Sequence, residues 1–85
     1  MERPEDYESI TTLDISNKKL TELPFWVSEC KKLEKLNCSW NKLTHLDNLP
    51  STLEILYCSN NPLKYDFIPT FENIRNYINQ NNQNK

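Results

Sequence analysis

An α/β fold is predicted for this 85-residue chain: a short solenoid with a three-stranded, curved parallel sheet and a helix closing its C-terminal end. Three observations predict it. An eleven-residue pattern, apolar at slots one, four, six and eleven, starts at Ile10, Leu33 and Leu53, and self-similarity at twenty-odd residues marks a chain built of stacked units. Within each pattern slots four and six share one face of an extended segment while slots three, five and seven share the other, the alternation of a strand. From Phe67 the spacing changes: Phe67, Phe71, Ile74 and Ile78 recur at intervals of four, three and four with Tyr77 beside them, a helical stripe.

The steps from Ile10 to Leu33 and from Leu33 to Leu53 are 23 and 20 residues, enough for the crossover of a dozen or more residues that parallel strands require. The inward slots hold Ile10, Leu13, Ile15 and Leu20, then Leu33, Leu36, Cys38 and Leu43, then Leu53, Leu56, Cys58 and Leu63. Slot nine holds Lys18, Asn41 and Asn61. The sequence L-x-x-L-x-L-x-x-N-x-L that these positions follow resembles the leucine-rich-repeat family, in its short intracellular form with about three repeats. The resemblance spans residues 10–66, divided as 10–32, 33–52 and 53–66. Lysine at position 18 departs from it, because an ammonium group cannot hydrogen-bond both ways to backbone as an amide does; a looser turn is expected there.

Before the first repeat, residues 1–9 carry four acids and one arginine with Tyr7 as their main apolar group, which makes them an acidic leader or a partial N-terminal cap. After Leu20 the run Leu23, Pro24, Val27, Cys30, Leu33 is similar to the return limb of intracellular repeats and predicts a short helical turn, with proline where a missing N–H costs least. The second limb, Leu46 to Thr52, is too short for a helix and is expected to be extended or 3₁₀. A capping helix is expected over 67–79 with Thr70 near its start. The polar stretch 80–85 reads as a disordered tail.

Composition narrows the function. Ten basic residues against twelve acidic ones give a net charge of −2, so there is no basic field to bind a nucleic-acid backbone. No apolar run reaches the ~18 residues of a membrane span, and the acidic N-terminus has no signal-peptide character. A cytoplasmic, intracellular location without membrane association is expected. The three cysteines read as reduced core residues, two of them in slot six. His45 is the only histidine and reads as an exposed turn residue. No catalytic constellation, phosphate loop or closely spaced metal-ligand pair is present. The chain is therefore expected to be no enzyme, with no cofactor and no metal.

The outward slots form columns across the repeats: Thr12, Lys35 and Ile55; Asp14, Asn37 and Tyr57; Ser16, Ser39 and Ser59; Asn17, Trp40 and Asn60. The serine column reads as structural, since short hydroxyls bond to local turn backbone. Large apolar groups at solvent-facing positions are candidate anchors. Trp40, Tyr57 and Ile55, with Asn37, Lys35 and Asp14 around them, are the expected partner-binding residues. The family resemblance implies a non-catalytic module that binds another protein on its concave face. The Leu-Pro-Ser-Thr-Leu limb is similar to repeats of bacterial effector proteins, which implies the alternative of a substrate-recognition unit in a ubiquitin-ligase system. A self-associating structural protein is the third reading, with a homodimer formed through the exposed solenoid end or through Phe25 and Trp26.

Overall fold

The computed structural model describes residues 1–47, 49–65 and 70–83, with the side chains of residues 78 and 80–83 left aside. Each strand is a three-residue segment at slots three to five: β1 is Thr12–Asp14, β2 is Lys35–Asn37 and β3 is Ile55–Tyr57. They form an open parallel sheet in the order β1-β2-β3. The register sets Thr12 against Lys35 and Ile55, Leu13 against Leu36 and Leu56, and Asp14 against Asn37 and Tyr57. Leu13, Leu36 and Leu56 therefore point together into the core, and the residues either side of each point away from it.

Burial follows position in the stack. In the middle repeat all four inward residues, Leu33, Leu36, Cys38 and Leu43, are fully buried. In the edge repeats Ile15, Leu53 and Leu56 are still buried, but Ile10, Leu13, Leu20, Cys58 and Leu63 are only partly covered. The crossover from β1 to β2 carries a 3₁₀ helix, Phe25–Glu29, whose Trp26 and Val27 enter the core while Phe25 turns outward. The second crossover has a turn at Leu53 N–H to Pro50 C=O, 3.2 Å.

Each strand leads into the same turn. Asn17, Trp40 and Asn60, three residues beyond β1, β2 and β3, all take left-handed backbone, with φ of 56°, 58° and 59°. The chain has no glycine, so asparagine, the residue that tolerates this region best after glycine, fills two of the three positions. The next residue supplies the tie between units. Asn41 Oδ1 accepts the N–H groups of Lys18 and Leu20 at 2.9 and 3.0 Å. Its Nδ2 donates to the carbonyls of Ile15, Cys38 and Ser39. Asn61 repeats this one unit on, accepting from Asn41 and Leu43 N–H at 3.1 Å each and donating to Cys38, Cys58 and Ser59.

Asn41 and Asn61 thus tie both their own turn and the turn of the unit before. The Lys18 turn is held from Asn41 alone, and it differs from the other two in that Lys19 as well as Asn17 takes left-handed backbone, with φ of 57°.

The helix α1, Phe71–Gln83, packs against β3. Thr70 Oγ1 accepts the Asn73 N–H at 3.2 Å and so caps its first turn. Ile74 is fully buried, Phe71 is half-buried, and Arg75 donates to the Leu53 carbonyl at 2.7 Å. The helix takes in residues 80–83, which the sequence had placed in a disordered tail; low apolar content there did not prevent helical backbone from continuing beyond an anchored first turn. Phe67 and the side chain of Ile78 lie outside the described residues. At the other end, residues 5–9 form turns with Ile10 N–H bonded to Asp6 C=O, and Tyr7 packs against the core. Arg3 lies 4.1 Å over the Tyr7 ring and pairs with Glu29 at 2.7 Å.

Candidate functional site

The outward residues of the strands share one face of the sheet. Thr12, Asp14, Lys35, Asn37 and Tyr57, with Leu13, line a shallow depression across all three strands. Lys35 and Tyr57 meet inside it, the Lys35 ammonium standing 5.5 Å from the Tyr57 ring centre, close enough for a cation–π attraction. The depression thus unites four of the six expected partner-binding residues. Ile55, 44% exposed at the start of β3, and Trp40, 60% exposed on the turn after β2, do not line it. Tyr57 between them is 49% exposed, so three large apolar groups face solvent on or beside this sheet.

Asp14 and Asn37 are committed to the turns before they can contact anything else. Asp14 Oδ1 accepts the Ser16 hydroxyl at 2.6 Å and the Ser16 N–H at 3.0 Å. These bonds favour the ionised carboxylate and hold its pKa below the ordinary value. Asn37 Oδ1 accepts the Ser39 N–H at 3.1 Å in the same way. The serine column was expected to satisfy turn backbone through its hydroxyls; in the first two repeats the slot-five side chain does so instead. In the third repeat slot five holds Tyr57, which leaves that ring to the surface, and Ser59 donates its hydroxyl to Ser39 at 3.3 Å.

Trp40 is the anomaly of the face. A bulky side chain on left-handed backbone places Cβ against the following carbonyl, at about 1–2 kcal/mol. The flanking repeats put asparagine at the same slot and the same φ. Little burial offsets that strain, because most of the indole is in water.

The second candidate surface divides. Phe25 is 70% exposed, but Trp26 is 2% exposed, with its indole N–H donated to the Met1 carbonyl at 3.3 Å. Trp26 is thereby removed as an interface residue: the 3₁₀ turn separates neighbouring positions by about a third of a revolution, which aims the two rings in different directions.

His45 is exposed, with Nδ1 3.0 Å from Thr44 Oγ1 and its ring edge-on to Tyr65. Tyr65 was not singled out from the sequence, yet its hydroxyl accepts the Leu46 N–H at 2.8 Å and its ring meets Tyr77 of α1 at 5.3 Å. Its position two residues past the last apolar slot was the available signal. The three cysteines carry no disulfide. Burial pushes Cys38 up to about 12 and raises Cys30 and Cys58. Cys58, expected in the core, is only half-buried. Among the described residues no His, Cys, Asp and Glu side chains cluster as a metal site, and no helix is long and apolar enough to cross a membrane.

Three strand-and-turn units in register, the second and third each tied to the one before it by an asparagine amide, define a repeat protein. More particularly, the Leucine Rich Repeat family model matches residues 52–74, the third unit and the start of α1, and this supports a leucine-rich-repeat protein. The motif suggests a protein–protein interaction module. No curated protein and no solved structure matches the chain.

Proposed function

We propose that this chain is a non-catalytic interaction module, a short solenoid whose end α1 covers, and that it binds a partner protein through the concave sheet face. Trp40 carries the reading. An exposed tryptophan occupies a left-handed position that the neighbouring repeats fill with asparagine, and backbone strain of this kind persists where surrounding structure holds it and often accompanies a binding role. Tyr57 and Ile55 extend the apolar contact area, and Lys35 on the Tyr57 ring adds a cation beside it. Aromatic anchors ringed by polar groups are the usual composition of a binding hot spot.

The test compares the immobilised wild-type chain with a Trp40→Ala/Tyr57→Ala variant and with Phe25→Ser, which alters the exposed ring of the 3₁₀ helix. A partner held by wild type and by Phe25→Ser, and lost from the double variant while its circular dichroism stays unchanged, is the expected result. Full retention by the double variant moves the site elsewhere.

A further inference from the structure

The net charge of −2 averages over a separation of charge that the repeats create. The strands and the turns that follow them, residues 12–21, 35–44 and 55–64, carry five lysines and one aspartate. The other acids lie on residues 1–9, on the crossovers, at Glu34 and Glu54 ahead of β2 and β3, and beyond residue 64. The one aspartate, Asp14, is already engaged: Ser16 bonds to it, and the Lys18 charge adds to what holds it ionised. In the second and third units these segments hold no acid at all.

Lys18, Lys35 and Lys42 are exposed, and among the described residues the only ion pair joins Arg3 to Glu29. The asparagine tie sets two of the three lysines on adjoining turns. Lys18 N–H bonds to Asn41 Oδ1 at 2.9 Å, and Lys42, the residue after Asn41, bonds through its own N–H to the Leu20 carbonyl at 2.7 Å. Trp40, largely in water, precedes Asn41 on the same turn. Lys35 opens β2 five residues before Trp40, with its ammonium 5.5 Å from the Tyr57 ring centre. Extended backbone rises about 3.3 Å per residue, so Lys35 and Lys42 stand roughly 15 Å apart, at either end of the run that carries Trp40.

We propose, building on the binding face proposed for this sheet, that the partner presents an extended acidic segment: an aliphatic or aromatic side chain seats on Trp40 and Tyr57, and flanking Asp or Glu carboxylates meet Lys35 and Lys42. Opposite charge on the two surfaces speeds encounter and excludes wrong partners, while the aromatic contacts supply most of the affinity. A nucleic-acid backbone fits less well. Its closely spaced phosphates call for a continuous basic track, whereas Asn37, Ser39 and Asn41 separate the cations here, and Glu34 and Glu54 sit immediately before the strands. A lipid surface is broad and flat, whereas Lys35 and Tyr57 line a depression.

The probe is a displayed library of random short peptides, selected on the immobilised full chain at about 0.15 M salt; enriched peptides are resynthesised with a fluorescein label and titrated. Expected are peptides with Asp or Glu on both sides of an aliphatic or aromatic residue. Their affinity should fall at least about tenfold for Lys35→Glu/Lys42→Glu. It should fall less than about threefold for Lys31→Glu/Lys32→Glu, which makes the same change in net charge on the crossover ahead of β2, where salt screens it. Peptides that are lost from Trp40→Ala/Tyr57→Ala but carry no excess of acids, or that bind the two lysine variants alike, overturn the acidic segment and leave the sheet face as the site. Acidic peptides that bind Trp40→Ala/Tyr57→Ala as tightly as wild type overturn both. A single-stranded oligonucleotide or phosphatidylserine vesicles held as tightly as the best peptide, and released by Lys35→Glu/Lys42→Glu, overturn the polypeptide occupant. No enrichment over the bare support also overturns the acidic segment, while partner capture by wild type and not by Trp40→Ala/Tyr57→Ala decides the face separately.

Discussion

Asn41→Ala removes the amide that joins the first two repeats. The side chain is 7% exposed and makes two acceptor contacts, to Lys18 and Leu20, and three donor contacts, to Ile15, Cys38 and Ser39. A hydrogen bond is worth about 0.5–1.5 kcal/mol net, and stranding its buried partner costs about 1–3 kcal/mol. The Ser39 contact at 3.3 Å is the weakest, and some of the freed groups will reach water, so the loss expected is about 3–5 kcal/mol. A chain of this length has a total stability of roughly 4–13 kcal/mol, so much of it disappears. Asn61→Ala removes an equivalent set nearer the open end, where its own side chain is half-exposed and water can replace part of it; about 2–3 kcal/mol is expected. Lys18→Ala, at the same slot of the first repeat, removes no tie and should change stability by less than about 0.5 kcal/mol. Urea denaturation followed by the fluorescence of buried Trp26 measures all three, with Trp40→Phe as the common background. A Lys18→Ala loss as large as that of Asn41→Ala, or an Asn41→Ala loss within about 0.5 kcal/mol of zero, would refute the direction of the ladder.

Other consequences follow from single contacts. Tyr65→Phe keeps the ring against Tyr77 but strands the Leu46 N–H, and denaturation should show a loss of about 1–2 kcal/mol; no loss would mean that the 2.8 Å bond is replaced by water without penalty. A maleimide should label half-buried Cys58 before Cys30 and Cys38, since both of those are fully buried and Cys38 is held up to about 12; peptide mapping at short times decides the order, and early labelling of Cys38 contradicts it. Asp14 has a folded pKa below its ordinary value, so its contribution is complete above the unfolded value and is lost as pH falls through the folded one. Asp14→Asn should flatten that acid limb, and carboxyl titration by NMR should place Asp14 below 3.8; a midpoint at or above that value refutes the Ser16 interaction.

Much of this fold was legible because its information is periodic. The slots predicted Leu13, Leu36 and Leu56 on the inner side of aligned strands, and the columns Thr12–Lys35–Ile55 and Asp14–Asn37–Tyr57 are the register found. What periodicity does not encode was misread. The pattern names an asparagine slot but gives no direction to its bonds, so the tie from Asn41 back to the Lys18 turn was not foreseen. It marks outward positions without backbone angles, so the strain at Trp40 was invisible until φ was known. It treats Phe25 and Trp26 alike, although one turn of 3₁₀ geometry buries one ring and exposes the other. At the site, the sequence grouped six residues that the structure separates into a depression around Lys35 and Tyr57, with Ile55 and Trp40 outside it.

The claim that Trp40 is retained for binding against the preference of its own backbone is tested by Trp40→Asn, with stability and partner affinity measured on the same preparation. Asparagine suits the left-handed turn, as at Asn17 and Asn60, so unfolding should become harder by about 0.5–1.5 kcal/mol while partner binding falls at least about tenfold. A variant that is no more stable, or one that binds its partner as tightly as wild type, would contradict the account.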